Sequence, residues 1–370
     1  MNTTRLLRLA ALLAAGLCLY PPGAAAADPP ASAPEAAYKS KIVGIPFLYY
    51  TPETKLAFGG GGVLTFRVGR HKEGTRTSSV WAYGTYSLEK QFNILIKPEI
   101  YLEGNDFCLA GSLRFERTPQ HFYGLGDDTA STAEESYTPL TVQAQFGIRR
   151  RILSGLYCGI QFDFENTTIE KVAPGGLLDS GTITGSRGGM LAGLGASLNW
   201  DTRDASMFPR RGAYLQLTAD SYSAMAGSQF SFSRFKLDLR KYLPLGEDRV
   251  LALQGYVLST GGDVPFYKLA LLGGDTLLRG YYRGRFRDKA MAIVQAEYRA
   301  LISNRIGFVG FAGMAQVFPG LARFGGGNLK FSVGTGMRYV ISKRDGTTVR
   351  LDMAWGKESF GLYVTAQEAF

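Results

Sequence analysis

Hydrophobic and polar residues alternate with a period of two along much of this chain. Phe107, Leu109, Leu113 and Phe115 are separated by residues that are mostly small or charged. The same alternation recurs in residues 156–165, 329–339 and 349–355. Because successive side chains of a β-strand point to opposite faces, each of these segments predicts a strand with one apolar face.

Two kinds of all-β protein show this alternation, the soluble sandwich and the transmembrane barrel. The predicted strands are about 10–12 residues long, which is the length that a tilted strand needs to cross a bilayer. Their polar faces carry charges of both signs, as in Arg234, Lys236, Asp238 and Arg240. Lipid also requires every backbone group to be bonded within the sheet, which a closed barrel achieves. These features favour an antiparallel transmembrane β-barrel.

The predicted barrel has about sixteen strands. They lie near residues 42–50, 56–68, 78–88, 92–102, 106–117, 138–150, 156–168, 189–201, 211–223, 229–242, 249–260, 289–301, 306–317, 329–341, 347–355 and 359–370. Connections after even-numbered strands are mostly short, and the long connections follow odd-numbered strands. Outer-membrane barrels have short periplasmic turns and longer outer loops. The asymmetry therefore predicts that the even-numbered strands end at the periplasmic side.

The composition excludes two other classes of protein. The chain has 370 residues, and no run of about 20 apolar residues follows residue 20, which excludes a helical membrane bundle. The 47 glycines exceed the usual share of this residue. Glycine and the 15 prolines together are nevertheless too few for a disordered low-complexity chain. Residues 1–27 predict a secretory signal peptide, residues 28–40 a disordered lead and residues 41–370 the barrel.

The reactive residues give no sign of an enzyme. The two histidines, His71 and His121, lie in a predicted turn and loop without an evident nucleophile beside them. Cys108 and Cys158 are predicted on opposite strand faces, so we expect no disulfide between them. No motif indicates a cofactor or a metal site, and the dispersed positive charges do not indicate a nucleic-acid partner.

Three segments resemble the barrel of the bacterial surface antigen superfamily, which includes BamA and TamA. In the longest loop, Leu278, Arg279, Gly280 and Tyr281 are similar to the Arg-Gly-aromatic motif at the tip of that family's sixth outer loop. Residues 49–61 resemble the opening of the same barrels. The turn after the eighth predicted strand is similar to the family's Asp-x-Arg-Asp motif followed by Pro and Gly, with Asp201, Arg203, Asp204, Pro209 and Gly212.

The resemblance implies that the sixth loop folds back into the lumen, where its arginine meets acidic groups. Strand parity places Gln295, Glu297 and Arg299 in the lumen, and we expect Arg279 to form a two-pronged bond with Glu297. The resemblance also implies a second acidic partner on the next strand. Gly313 stands where the family often has Asp, so the sequence predicts a latch without it.

The last predicted strand carries an apolar stripe. Phe360, Leu362 and Val364 share one face, and the sequence ends on Phe370. The stripe predicts a lipid-facing strand that ends in an aromatic residue. It also resembles the C-terminal signal by which outer-membrane barrels are handed to their assembly machinery.

Two functions are consistent with the sequence. Family members that insert or secrete proteins carry periplasmic POTRA repeats before the barrel, and only residues 28–40 precede the first predicted strand here. The first hypothesis is a barrel that assists protein or lipid insertion or translocation, with a separate periplasmic partner as one option. The alternative is a passive, anion-leaning pore or a structural protein, because the net charge of +10, less the two arginines of the predicted signal peptide, leaves +8. Both place the chain in a Gram-negative outer membrane, in contact with lipids and lipopolysaccharide.

Overall fold

The computed structural model describes residues 40–51, 55–68, 75–88, 90–325, 327–342 and 347–370. The predicted signal peptide, nearly all of the predicted lead and His71 therefore lie outside the described residues. No helix in the described ranges is long and apolar enough to cross a membrane.

In the described part of the chain, sixteen long strands form the wall of an antiparallel β-barrel, and each pairs with the next along the chain. They are β1 (Lys41–Thr51), β2 (Lys55–Phe66), β3 (Ser78–Ser87), β4 (Phe92–Tyr101), β5 (Phe107–Arg117), β6 (Glu135–Leu153), β7 (Leu156–Val172), β8 (Gly188–Asp201), β9 (Gly212–Tyr222), β10 (Phe232–Pro244), β11 (Arg249–Gly262), β12 (Ala290–Leu301), β13 (Ile306–Phe318), β14 (Lys330–Ser342), β15 (Thr347–Gly356) and β16 (Ser359–Ala366). A short strand, Gln120–Phe122, extends the sheet by pairing with the start of β6.

Side-chain exposure alternates along the strands with the predicted period. In β12, Val294 and Tyr298 are 47% and 41% exposed, whereas Gln295, Glu297 and Arg299 are at most 5% exposed. The exposed residues face lipid and the buried polar ones face the lumen, as in other transmembrane barrels. Cys108 is buried, Cys158 is exposed and both are free, which confirms that they do not pair.

The predicted strand positions are confirmed to within a few residues, with two differences. β6 and β7 have 19 and 17 residues, so this pair is longer than predicted. β16 ends at Ala366, whereas the alternation predicts a strand to residue 370. Gln367 has a φ of 69°, in the left-handed region, and this conformation ends the strand.

Buried apolar side chains form five clusters among the described residues, and three of these include residues of the long connections or of the last residues of the sequence. One cluster lies at the long-loop end and includes Phe122, Tyr137 and Phe266. A second surrounds the long connection between β11 and β12. The third lies at the short-turn end and contains Phe370. The barrel is therefore occupied along its length by its own chain.

Candidate functional site

The connection between β11 and β12, residues 263–289, folds back into the barrel as predicted. Two short antiparallel strands, Ala270–Leu272 and Phe286–Asp288, bring its tip inward. Leu278, Arg279 and Tyr281 at the tip are each at most 2% exposed. We call residues 263–289 loop 6.

Gly280 allows the tip to lie directly against the barrel wall. Its φ is 103°, a conformation that strongly favours glycine. A Cβ atom at this position would lie 2.9 Å from the carbonyl carbon of Trp355 in β15. The residue between Arg279 and Tyr281 therefore has to be glycine for this contact to form.

Arg279 joins loop 6 to two strands of the wall. Its Nη2 donates to Glu297 Oε2 of β12 and its Nη1 to Asp352 Oδ2 of β15, each at 2.5 Å. Its guanidinium carbon also lies 3.4 Å from the ring centroid of Phe311 in β13. Each carboxylate is fully buried, so the pairing satisfies charges that would be costly alone.

The structure thus brings Arg279 and Glu297 together, but the two prongs go to different carboxylates. The expectation that the latch has no second acid is wrong. Gly313 is indeed not acidic, but Asp352, two strands beyond β13, supplies the second carboxylate. The resemblance points only to the neighbouring strand, and Asp352 is therefore missed. Barrel curvature brings strands that are distant in the sequence to the same point in the lumen.

The Arg279 contacts belong to a larger charge network. Arg299 Nε donates to Glu297 Oε1 at 2.7 Å, and Arg338 Nη1 donates to Asp352 Oδ1 at 2.5 Å. Arg350 donates to Asp352 Oδ2 at 2.9 Å and to Asp275 Oδ2 of loop 6 at 3.0 Å. We call this the lumen network. With Glu368 it contains equal numbers of arginines and carboxylates, so its charges balance.

The last residues of the sequence complete the network from the short-turn end. Glu368 Oε2 accepts a hydrogen bond from Arg338 Nε at 2.7 Å, and the main-chain oxygen of Phe370 accepts one from Arg299 Nη2 at 2.8 Å. The Phe370 ring packs with Tyr242 and Val250. Residues 367–370, here called the tail, therefore lie inside the barrel.

This placement divides the predicted C-terminal stripe. Phe360, Leu362 and Val364 are 56–68% exposed on the outer surface, as the alternation predicts, whereas Phe370 is 3% exposed and faces the lumen. The turn at Gln367 removes Phe370 from the strand and directs Glu368 toward its arginine partners.

Further hydrogen bonds hold the loop tip on β14 to β16. Tyr281 Oη donates to the Phe331 carbonyl oxygen at 3.0 Å, and Gly280 N donates to Tyr363 Oη at 2.9 Å. Gln295 contacts the same loop, since its Oε1 accepts from Leu278 N at 3.3 Å.

The outer part of loop 6 contacts residues 118–134, the connection between β5 and β6. Arg285 Nη1 donates to Thr129 Oγ1 at 2.9 Å, and Arg287 Nη2 donates to the His121 carbonyl oxygen at 3.0 Å. These contacts close the long-loop end over the lumen network.

His121 has a hydroxyl beside it, contrary to the expectation from sequence. Its Nδ1 lies 2.9 Å from Glu134 Oε1 and 3.4 Å from Ser136 Oγ. A Ser-His-acid relay places the hydroxyl and the acid on different ring nitrogens, whereas here both contact the same one. The group therefore holds the loop together without forming such a relay.

The predicted periplasmic turn motif forms a separate cluster between β8 and β9. Arg203 binds both carboxylate oxygens of Asp201 at 2.9 Å, and Asp204 Oδ1 accepts from the main-chain nitrogen of Arg210. Burial alone would lower the pKa of Arg203, but the hydrogen bonds and charge of Asp201 outweigh this effect and raise it. Pro209 is buried, and Gly212 has a φ of 104° where the chain enters β9. The motif shapes the turn between β8 and β9.

Comparisons with known proteins agree with this geometry. The Omp85 superfamily domain matches residues 58–344. No curated protein matches the sequence. The crystal structure of BamA from Haemophilus ducreyi lacking POTRA domains 1–3 is similar, with 16% identity, a TM-score of 0.57 and coverage of 89% of this chain and 69% of that one.

Two structures of CdiB are also similar in fold. CdiB from Acinetobacter baumannii has 12% identity and a TM-score of 0.52, and CdiB from Escherichia coli has 10% identity and a TM-score of 0.55. This chain is covered to 89% in each comparison and spans 59% and 61% of the two CdiB chains. The family match and the BamA-like fold confirm the resemblance predicted from the loop and turn motifs.

Proposed function

Since the chain belongs to the Omp85 superfamily, we propose that its barrel assists the insertion or translocation of proteins or lipids at the outer membrane of a Gram-negative bacterium. The observation that carries the proposal is the attachment of Arg279 to both Glu297 and Asp352. It holds loop 6 in the lumen as a built-in plug that contacts strands close to the end of the barrel sequence.

The filled lumen supports assisted transfer over passive diffusion. A general pore needs a continuous aqueous path lined by charges that are available to ions. In the lumen network the charges bind one another, and Arg279, Glu297 and Asp352 are at most 1% exposed. The arginines of the lumen network therefore do not form a lining that attracts anions.

The contacts of the loop tip suggest where the barrel acts. Tyr281 and Gly280 are bonded to β14 and β16, so movement of loop 6 changes the support of the last strand. We place the functional surface at β1 and β16, the first and last strands, which form the two edges of the strand series. The cargo passes along this edge, alone or with a separate periplasmic partner, and the barrel itself requires the assembly machinery for its own insertion.

Deletion of the gene in the native host tests the proposal. We expect a changed set of outer-membrane proteins or lipids, measured by proteomics and lipid analysis of purified outer membranes. Complementation with the wild type restores the composition, whereas Arg279→Ala at equal barrel abundance restores it incompletely. Arg305→Ala is the control, because Arg305 is exposed in the turn between β12 and β13. An unchanged protein and lipid composition after deletion would show that the proposal is wrong.

Single-channel recording separates the proposal from the passive pore. The plugged barrel is expected to give a small, flickering conductance in a planar bilayer. A large, steady and anion-selective conductance from the purified wild type would instead support the passive pore.

A further inference from the structure

The outer surface of the barrel has a groove of about 400 Å³ across β4 to β8. Its walls include Leu109, Ile148, Ile160 and Leu194, all of which are more than a third exposed. The barrel crosses a membrane, so this surface is covered by hydrocarbon rather than by water. The groove is therefore a depression in the lipid-facing wall.

Two residues that lack a long side chain form the floor of the groove. Pro98 of β4 and Gly111 of β5 both line it, and neither extends a flexible side chain into lipid. The ladder between these strands is also interrupted there, since Ile96 pairs with Leu113 and the next pair is Glu99 with Ala110. Proline has no N–H to donate to a ladder, which accounts for a break at Pro98.

The position of Gly111 along β5 indicates the depth of the groove in the membrane. Gly111 is four residues from the start of β5 at the short-turn end, or about 13 Å along the strand at about 3.3 Å per residue. The short-turn side faces the periplasm in barrels of this type. The groove thus lies in the inner leaflet of the outer membrane, at the depth of acyl chains.

A cation stands at the lower end of the groove. Arg150 in β6 is two residues from Ile148 and has the same outward parity, and it pairs in register with Phe107 and with Cys158, which are both exposed. Arg150 is itself exposed and has no carboxylate partner among the described residues. Its neighbour Arg151, in contrast, binds Asp106 at 2.8 Å.

We propose that the groove and Arg150 form a binding site for one anionic phospholipid of the inner leaflet. The acyl chain lies in the groove over Pro98 and Gly111, and the phosphate lies against the Arg150 guanidinium. The apolar walls suit the chain, and the free cation at headgroup depth suits the negative charge. The site is on the outer wall, away from the lumen network, and does not depend on which cargo the barrel handles.

Cys158 provides a probe at the site, because it is exposed beside Arg150, whereas Cys108, the other cysteine among the described residues, is buried. A fluorophore on Cys158 is reconstituted in phosphatidylethanolamine vesicles that contain a small fraction of nitroxide-labelled lipid. The labelled lipid is either phosphatidylglycerol or phosphatidylethanolamine with the same chains. We expect phosphatidylglycerol to be enriched about fivefold around the probe in the wild type, which is the effect of one basic side chain at a membrane surface.

Two substitutions test the two parts of the site. Arg150→Gln should abolish the preference for phosphatidylglycerol, whereas the matched control Arg305→Gln should keep it. Leu109→Trp should fill part of the groove and lower quenching by both labelled lipids while keeping the preference. Equal quenching by both lipids in the wild type, or an unchanged preference in Arg150→Gln, would overturn the proposal. Unchanged quenching in Leu109→Trp would overturn the part played by the groove.

Discussion

Asp352 is the residue on which most of the lumen network depends. Its carboxylate accepts hydrogen bonds from Arg279, Arg338 and Arg350, which come from loop 6, β14 and β15. When Arg279 is removed, by comparison, both of its carboxylate partners retain other arginine partners. The network is therefore more sensitive to the loss of an acid than to the loss of the loop arginine.

This asymmetry predicts different losses of stability. Arg279→Ala should lower the free energy of unfolding by about 2 kcal/mol, and Asp352→Asn by about 4 kcal/mol, because breaking a buried pair strands the remaining charges. Urea unfolding in detergent, followed by tryptophan fluorescence, measures both values.

Protease sensitivity gives a second measurement of the same prediction. Trypsin should cut loop 6 of the Arg279→Ala variant faster than that of the wild type. Unchanged unfolding together with unchanged cleavage would contradict the role of Arg279 as a latch.

The sequence predicts only part of this site. The Arg-Gly-aromatic motif and strand parity indicate Arg279, Glu297, Gln295 and Arg299. From the sequence, Asp352 and Arg338 are identified only as residues on the polar faces of two strands. The alternation pattern does not distinguish a charged side chain that faces water from one that binds a loop. The contact depends on which strands curve toward the same point, and local alternation carries no information about that.

At the scale of the element, alternation predicts the strands well because one face meets lipid and the other a polar lumen. It fails at the tail. Residues 367–370 continue the spacing of β16, but Glu368 gains a bond to Arg338 only if the chain leaves the strand. A local rule for strands cannot include this competing long-range contact.

The tail predicts a contrast between two aromatic residues near the end of the chain. Phe370→Ala should lower the free energy of unfolding by about 3 kcal/mol, because it empties a packed position beside Tyr242 and Val250. Phe360→Ala, on the lipid-facing surface, should cost clearly less. The barrels are refolded in vitro, so that assembly in the cell does not affect the result. The variants are compared by the temperature at which their gel mobility shifts. An equal fall in this temperature for the two variants would contradict the buried position of Phe370.

The loop tip predicts a strict requirement at one glycine. Gly280→Ala should destabilise the closed loop by about 2 kcal/mol, since it combines a left-handed φ with a clash against β15. Gly310→Ala is the matched control, because a Cβ atom there meets no heavy atom within 4 Å. Rates of trypsin cleavage in loop 6 compare the two, and equal rates would argue against the close contact with Trp355.

At the scale of the whole molecule, the barrel is closed from within by loop 6 and by the tail. Gly274 N bonds the Tyr281 carbonyl oxygen at 3.0 Å, so the two ends of the tip segment already lie close together. Deletion of residues 275–281 should join them without distorting the wall.

We expect this deletion to convert the small, flickering conductance of the wild type into a larger and steadier one in planar bilayers. The barrel must still show heat-shifted mobility, which verifies that the wall has formed. A correctly folded deletion variant with wild-type conductance would show that loop 6 does not close the lumen.

The tail also bears on the charge balance inside the barrel. Glu368 follows β16, whereas Arg299 and Arg338 belong to β12 and β14 of the wall. A chain that stopped after β15 would present these two cations to the lumen without Glu368. Arg299 and Arg338 would then keep only Glu297 and Asp352 as carboxylate partners, so the tail supplies the negative charge that balances the arginines of the lumen network.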